Sequence, residues 1–212
     1  LWSRSKTDLQ QGMVGADLKN LANEAALMAA RRSHERVQLA DLTDALEKIL
    51  LGAERKIMLS REERERTAYH ESGHALLGML HPGADPVRKI SIIPRGRALG
   101  VTFQSPSTDR YGYDSDYLRG RIVGALGGRA AEQIIYGDVT TGAESDLETV
   151  TRIAKQMVGR WGMSEAIGPV SVLPGPNDEP LLLPGTGPGG PSAHTLELID
   201  SEVRKIVDER YV

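Results

Sequence analysis

The segment His70-Glu71-Ser72-Gly73-His74 constrains the fold of this chain more than any other feature. Two imidazoles four residues apart lie on the same face of a helix, because a helical turn takes about 3.6 residues. Both rings can then bind one tetrahedral zinc ion, and Glu71, beside the metal, can take a proton from water. The motif arises by chance in about one in a hundred chains of this composition, so its surroundings must support it.

The residues around the motif predict a long helix. Ser60 with Glu63 forms the capping-box pattern that opens a helix. Apolar residues continue the helical spacing to Leu80, and Pro82-Gly83 ends it. Both histidines therefore lie in mid-helix, where shared metal binding requires them.

Composition limits what else the chain can be. The 212 residues contain no cysteine, which excludes disulfides, thiolate nucleophiles and cysteine zinc sites, so a metal must bind to histidine and carboxylate. A net charge of -3 and few aromatic residues give no surface suited to nucleic acid. No apolar run approaches the roughly 18 residues of a membrane span, and no signal-peptide pattern is present. We expect a soluble chain that binds no nucleic acid.

The predicted fold class is mainly α, with one small β-sheet. The glycines at 124, 127 and 128 interrupt a helical pattern, which predicts close packing of that helix against another element. Seven of the 11 prolines lie between Pro169 and Pro191, and this composition predicts a long flexible loop. Periodicity predicts helices at 16–29, 39–51, 61–80, 116–135, 145–160 and from 192 onward, and neighbouring strands at 87–93 and 99–104.

The third metal ligand is not evident from the motif alone. A histidine six residues after His74 would complete one common zinc pattern, but Leu80 occupies that position and His81 follows one residue too late, which suits a helix-end role. No carboxylate occurs between Asp85 and Asp109, where a second common pattern places its ligand. The remaining candidates are Glu132, Asp138, Glu144, Asp146 and Glu148.

Two of these candidates have specific alternatives. Asp146 is predicted at a helix start, where it can be a third ligand or an ordinary capping residue. Glu132 lies on a helix after Gly127-Gly128-Arg129, where it can pair with Arg129 or orient a metal ligand by hydrogen bonding. The residues by themselves do not decide between these roles.

An ordered series of motifs identifies a family resemblance. The chain resembles the proteolytic part of the FtsH family, ATP-dependent AAA zinc proteases anchored in bacterial and organellar membranes. The resemblance covers residues 15 to about 170, and its motifs are Gly15-Ala16-Asp17-Leu18, Asn23-Glu24-Ala25-Ala26, Thr67-Ala68-Tyr69-His70-Glu71-Ser72-Gly73-His74, Ile93-Pro94-Arg95-Gly96-Arg97-Ala98-Leu99-Gly100, Gly127-Gly128-Arg129-Ala130-Ala131-Glu132, Thr140-Thr141-Gly142-Ala143-Glu144-Ser145-Asp146 and Trp161-Gly162-Met163-Ser164-Glu165.

The resemblance implies a helical zinc-protease domain and its site. Carried onto this chain, His70, His74 and Asp146 hold Zn²⁺ and Glu71 is the general base. Ser72 stands where the family usually has alanine, a change between small residues. We expect residues 1–51 to be the remnant of an AAA lid subdomain and 52–212 to be the protease domain, with its flexible loop at 169–191.

The resemblance also implies partners. We expect a homo-hexamer on the cytoplasmic face of the bacterial inner membrane, anchored by a segment absent from this chain, that degrades unfolded or membrane proteins. The sequence contains no G-x-x-x-x-G-K-[ST] motif, so ATP and Mg²⁺ are expected only in the full-length protein. The strands at 87–93 and 99–104 offer an edge to which an extended substrate can add.

Two rival functions are less well supported. A stand-alone zinc peptidase has no use for a lid-like helix pair at 15–50. A non-catalytic assembly module has no use for Glu71, because a structural zinc site needs no general base. Zinc-dependent peptide hydrolysis is therefore the predicted function.

Overall fold

Helices dominate the structure, a computed structural model that describes residues 14–96, 98–106, 111–174 and 191–211. The predicted class, mainly α with a small sheet, is confirmed. Residues 1–13 and most of the predicted loop at 169–191 lie outside the described residues. The elements are α1 (Gly15–Arg31), α2 (Leu39–Leu51), α3 (Arg61–Leu80), β1 (Val87–Ser91), β2 (Val101–Gln104), α4 (Ser115–Tyr136), α5 (Glu144–Gly159) and α6 (Ala193–Tyr211).

The chain forms two compact units. The first comprises Leu1–Glu71 and Asp85–Tyr111, and the second comprises Ser72–Ala84 and Gly112–Val212. The division falls inside α3, directly after Glu71.

Helices α1 and α2 pack together in the first unit. Leu21 and Ala25 of α1 are buried with Ala45 and Leu46 of α2, and the two alanines allow the helices to approach closely. Asp41 fastens the start of α2, because its Oδ2 accepts the backbone N–H of Gln38 at 2.9 Å. The same carboxylate contacts His34 Nδ1 at 2.9 Å and accepts from Arg32 at 2.9 Å. These contacts connect the loop between the helices to α2.

The two predicted strands form an antiparallel pair in the first unit. Ile90 pairs with Thr102, and Ser91 pairs with Val101. Both strands are shorter than predicted. Strand β1 ends at Ser91, whose hydroxyl accepts the backbone N–H of Ile93 at 3.2 Å, and such a local bond competes with the strand ladder.

Arg95 connects this hairpin to the segment that follows α2. Its side chain is 6% exposed and donates to the Gly52 carbonyl at 3.1 Å and to Glu54 Oε1 at 2.8 Å. Lys89 of β1 also pairs with Glu47 of α2. Charged hydrogen bonds thus join the hairpin to α2 and to the segment that follows it.

The core of the second unit lies between α4, α5 and α6. Branched and sulfur-containing side chains at helical spacing fill it, as the periodicity predicts. Its members that are at most 2% exposed are Ile122, Leu126, Val150, Ala154, Met157, Val158 and Ile199. Within the second unit, α3 and α4 approach each other closely at Gly73 and Gly127. A Cβ on Gly127 would lie 2.5 Å from the Gly73 carbonyl oxygen, so only glycine fits there. The predicted close packing is confirmed at Gly127.

Candidate metal centre

A ring nitrogen of His74 and a carboxylate oxygen of Asp146 lie close enough to bind the same metal ion. His74 Nε2 lies 3.3 Å from Asp146 Oδ2. Two ligands bound at about 2.0–2.1 Å to one tetrahedral zinc would be about 3.3 Å apart, so the spacing fits a shared ion. Asp146 reaches this position because α5 begins directly after a short 3₁₀ turn, Thr141–Ala143, which places residue 146 in the first helical turn.

The backbone of α4 orients the His74 ring. His74 Nδ1 lies 2.8 Å from the Gly124 carbonyl oxygen and 3.3 Å from the Gly128 nitrogen. We assign the ring proton to the shorter bond, in which Nδ1–H donates to the carbonyl of Gly124. Nε2 then carries the lone pair that a metal requires, which is the tautomer that ligating histidines commonly adopt.

His70 completes a three-residue group. It precedes His74 by one turn of α3, and the ligand atoms of His70, His74 and Asp146 all lie within 4.8 Å of one another. All three residues are half-buried. Two imidazoles and one carboxylate are a donor set typical of catalytic zinc, which takes three protein ligands and keeps one position open. The residues present therefore fit a zinc ion.

Glu71 is held from the side by the hairpin. The residue is 7% exposed, and its Oε2 accepts a hydrogen bond from Thr102 Oγ1 at 2.7 Å. The same hydroxyl lies 2.9 Å from the Glu71 carbonyl oxygen. Sequence reasoning did not find Thr102, because nothing in a strand pattern indicates which distant helix residue its hydroxyl meets.

The remaining carboxylate candidates lie elsewhere. Among the described residues, the group that can hold a metal contains Asp146 and none of the other four candidates. Glu132 is 2% exposed, and its Oε2 accepts from the backbone nitrogen of Thr140 at 3.2 Å and from its hydroxyl at 3.0 Å. These two bonds attach Glu132 to the turn that leads into α5. Arg129, which the sequence offered as a partner for Glu132, has its guanidinium 5.7 Å from the ring centroid of Tyr211.

Residues 57–212 match the family model described as Peptidase family M41. The chain belongs to peptidase family M41. Residues 11–44 match the AAA+ lid domain model, in agreement with the lid-like helices that the sequence predicted. The predicted border after residue 51 falls between the two matched ranges and stays a prediction. Within the described part of this M41 chain, no helix is long and apolar enough to cross a membrane.

Curated relatives of this chain are named as ATP-dependent zinc metalloproteases. The M41 chain is 64% identical over 200 residues to the ATP-dependent zinc metalloprotease FtsH 3 of Conexibacter woesei, an alignment of 94% of this chain and 26% of the relative. It is 59% identical over 201 residues to the ATP-dependent zinc metalloprotease FtsH of Thermobaculum terrenum, covering 94% of this chain and 31% of the relative. The chain thus spans between a quarter and a third of the length of these relatives, and the FtsH resemblance is confirmed.

Proposed function

We propose that this chain is the zinc-dependent endopeptidase part of an ATP-dependent protease. The observation that carries the proposal is the group formed by His70, His74 and Asp146, with Glu71 next to the first histidine. A structural zinc site has four protein ligands and no general base, whereas this site has three candidate ligands and a buried glutamate.

The chemistry follows from the residue types. His70, His74 and Asp146 would hold the ion, which when bound supplies the Lewis acid that polarises a carbonyl and acidifies water. Glu71 accepts the proton of the attacking water and later delivers it to the leaving amine. The ring bond to the Gly124 carbonyl keeps His74 in the tautomer that serves as a ligand.

An extended substrate is the second part of the proposal. A two-stranded sheet has an outer edge on each strand, and backbone hydrogen bonds along such an edge bind a peptide with little regard to its sequence. Proline scanning of residues 99–104 removes the backbone donors in and just before β2 one at a time. Peptide cleavage that persists unchanged throughout the scan would remove the edge from the proposal.

The cellular setting is also proposed. The names of the relatives and the AAA+ lid match support an ATP-driven protease. The homo-hexamer and the unfolded or membrane protein substrates of the proposal come from the family resemblance. We place ATP and Mg²⁺ binding outside these 212 residues, because the sequence has no phosphate-binding motif. Membrane attachment through another segment, at the cytoplasmic face of a bacterial inner membrane, belongs to the same proposal, as does the absence of nucleic-acid binding.

Metal content tests the site directly. The zinc-reconstituted chain is analysed by mass spectrometry beside the variants Asp146→Ala, Glu132→Ala and Glu71→Gln. We expect about one zinc per chain in the parent, loss of zinc in Asp146→Ala, and retention in the other two. Glu71→Gln should abolish cleavage of an unstructured protein such as casein while keeping zinc, because only the proton acceptor is lost.

Each other outcome has a defined meaning. Loss of zinc in Glu132→Ala with retention in Asp146→Ala would move the third ligand to α4. A parent that binds no zinc when zinc is supplied would refute the protease proposal and favour the non-catalytic assembly module. Cleavage that survives Glu71→Gln would remove the general-base role.

A further inference from the structure

The hydroxyl of Thr102 lies against the carboxylate of the proposed general base. Thr102 Oγ1 is 2.7 Å from Glu71 Oε2 and 2.9 Å from the Glu71 carbonyl oxygen, and all these atoms belong to the first unit. Hydrogen bonds to an ionised carboxylate are shorter and stronger than neutral ones. Because Glu71 is only 7% exposed, a bond of this kind does much to fix its orientation.

A threonine in a strand needs no functional reason, since β-branched residues favour strands. That reading explains the branched shape of Thr102 but not its hydroxyl. Valine has the same shape and would satisfy the strand equally well. The direction of the hydroxyl toward a buried carboxylate is the part that a purely structural role leaves unexplained.

Gly100 supports the same interpretation from two residues away. Residues 100 and 102 lie on the same face of an extended chain, because side chains alternate along a strand. A Cβ on Gly100 would lie 2.7 Å from Cγ and from Oε1 of Glu71, and 2.9 Å from the carbonyl oxygen of Ser91. The glycine thus leaves space for the glutamate, and the hairpin meets Glu71 at two neighbouring points.

We propose that Thr102 is a positioning residue for Glu71, holding one carboxylate oxygen while Gly100 leaves room for the rest of the side chain. The proposal rests on the proposed function, in which Glu71 is the base. A base must be held within about 0.5 Å of its productive position, and a long glutamate side chain does not hold itself there. The hairpin therefore contributes to proton transfer as well as to any substrate edge.

The test compares two matched variants in zinc-reconstituted protein. Thr102→Val keeps the shape and removes the hydroxyl, whereas Thr102→Ser keeps the hydroxyl. Against a fluorogenic peptide we expect Thr102→Val to lower kcat by about tenfold or more with KM changed by less than about twofold. Thr102→Ser should restore kcat to within about threefold of the parent. Thr43→Val, at an exposed threonine of α2, is the control and should change neither constant.

A second readout does not depend on activity. In metal-free chain, a double-mutant cycle between Thr102→Val and Glu71→Ala measures their coupling in urea unfolding. Each single variant already removes the hydrogen bond that the two residues share, so the effects of the two substitutions should not add. We expect this departure from additivity to be about tenfold in the unfolding equilibrium constant. Zinc content should match the parent in Thr102→Val.

The outcomes separate this inference from the proposed function. An inactive parent, or a Glu71→Gln variant that still cleaves, overturns both together. The positioning role alone is overturned if the parent depends on Glu71 while Thr102→Val keeps the parental kcat. It is also overturned if the parent depends on Glu71 and the cycle shows no coupling. If Thr102→Val fails to fold, Gly100→Ala decides: we expect it to keep zinc and lose kcat by about tenfold, and parental kcat would refute the proposal.

Discussion

Replacing Gly127 by alanine tests how closely α3 and α4 must approach to build the metal centre. The added Cβ would lie 2.5 Å from the Gly73 carbonyl oxygen and 2.9 Å from the backbone nitrogen of His74. Both neighbours are backbone atoms, so no side chain can move aside. To restore even a tight contact of 3.0 Å, the helices must separate by about 0.5 Å at this point.

A shift of that size is large for a metal ligand. Ligand distances in working sites hold to about 0.2 Å, and His74 lies next to the contact. We expect zinc affinity to fall about 10- to 100-fold, as when a bond that orients a ligand is lost. Overpacking of this kind should also lower the free energy of unfolding by about 1–3 kcal/mol.

The assays are urea unfolding of metal-free protein and competition for zinc with a chromogenic chelator. Gly124→Ala is the matched control, one turn earlier in the same helix, because an added Cβ there meets nothing within 4 Å and the backbone carbonyl that contacts His74 is kept. It should leave zinc affinity unchanged and raise stability by about 0.5–1 kcal/mol, because alanine is the better helix former. A Gly127→Ala protein with parental stability and parental zinc affinity would refute the close approach of the two backbones.

Three further predictions concern the first unit. Hydrogen bonds from His34 and from the backbone of Gln38 lower the pKa of Asp41 to about 2 from its ordinary value of 3.8. The ionised Asp41 carboxylate therefore contributes its full stabilisation above about pH 4 and loses it as the pH falls toward 2. Thermal unfolding of Asp41→Asn should depend less on pH across this window than thermal unfolding of the parent. Arg95→Ala should lower the free energy of unfolding by about 1–2 kcal/mol in urea, with Arg95→Lys in between, and a parental value for the alanine variant would mean that its bonds contribute nothing. Ser60→Ala should cost about 1 kcal/mol by thermal unfolding through loss of the helix cap, whereas an unchanged melting temperature would place the start of α3 elsewhere.

Local patterns were enough to predict most of the elements. Helix α2 runs from Leu39 to Leu51 as predicted, and the Ser60–Glu63 capping box is present, with Ser60 N–H donating to Glu63 Oε2 at 2.8 Å. Both depend on contacts within a few residues, which a sequence displays directly. The strands were predicted too long, since the bond from Ile93 to the Ser91 hydroxyl that ends β1 has no signature in a run of apolar residues.

The site was predictable in part for a similar reason. Helical spacing places His70 and His74 together without any knowledge of the fold. Asp146 could not be chosen from the residues alone, because its distance from His74 depends on how α3, α4 and α5 pack, and only the family resemblance favoured it. Contacts such as Gly124 with His74 are made through backbone atoms, which no residue type reports.

The hairpin has a consequence for insertions and deletions. Arg95 is bonded to the segment after α2, and Thr102 is bonded to Glu71. One residue added or removed between them would turn the following strand over, because a register shift of one exchanges its two faces. Thr102 would then direct its hydroxyl away from the glutamate while every other residue of the site stayed in place. In this short stretch the length of the chain is as much a requirement of the site as the identity of its residues.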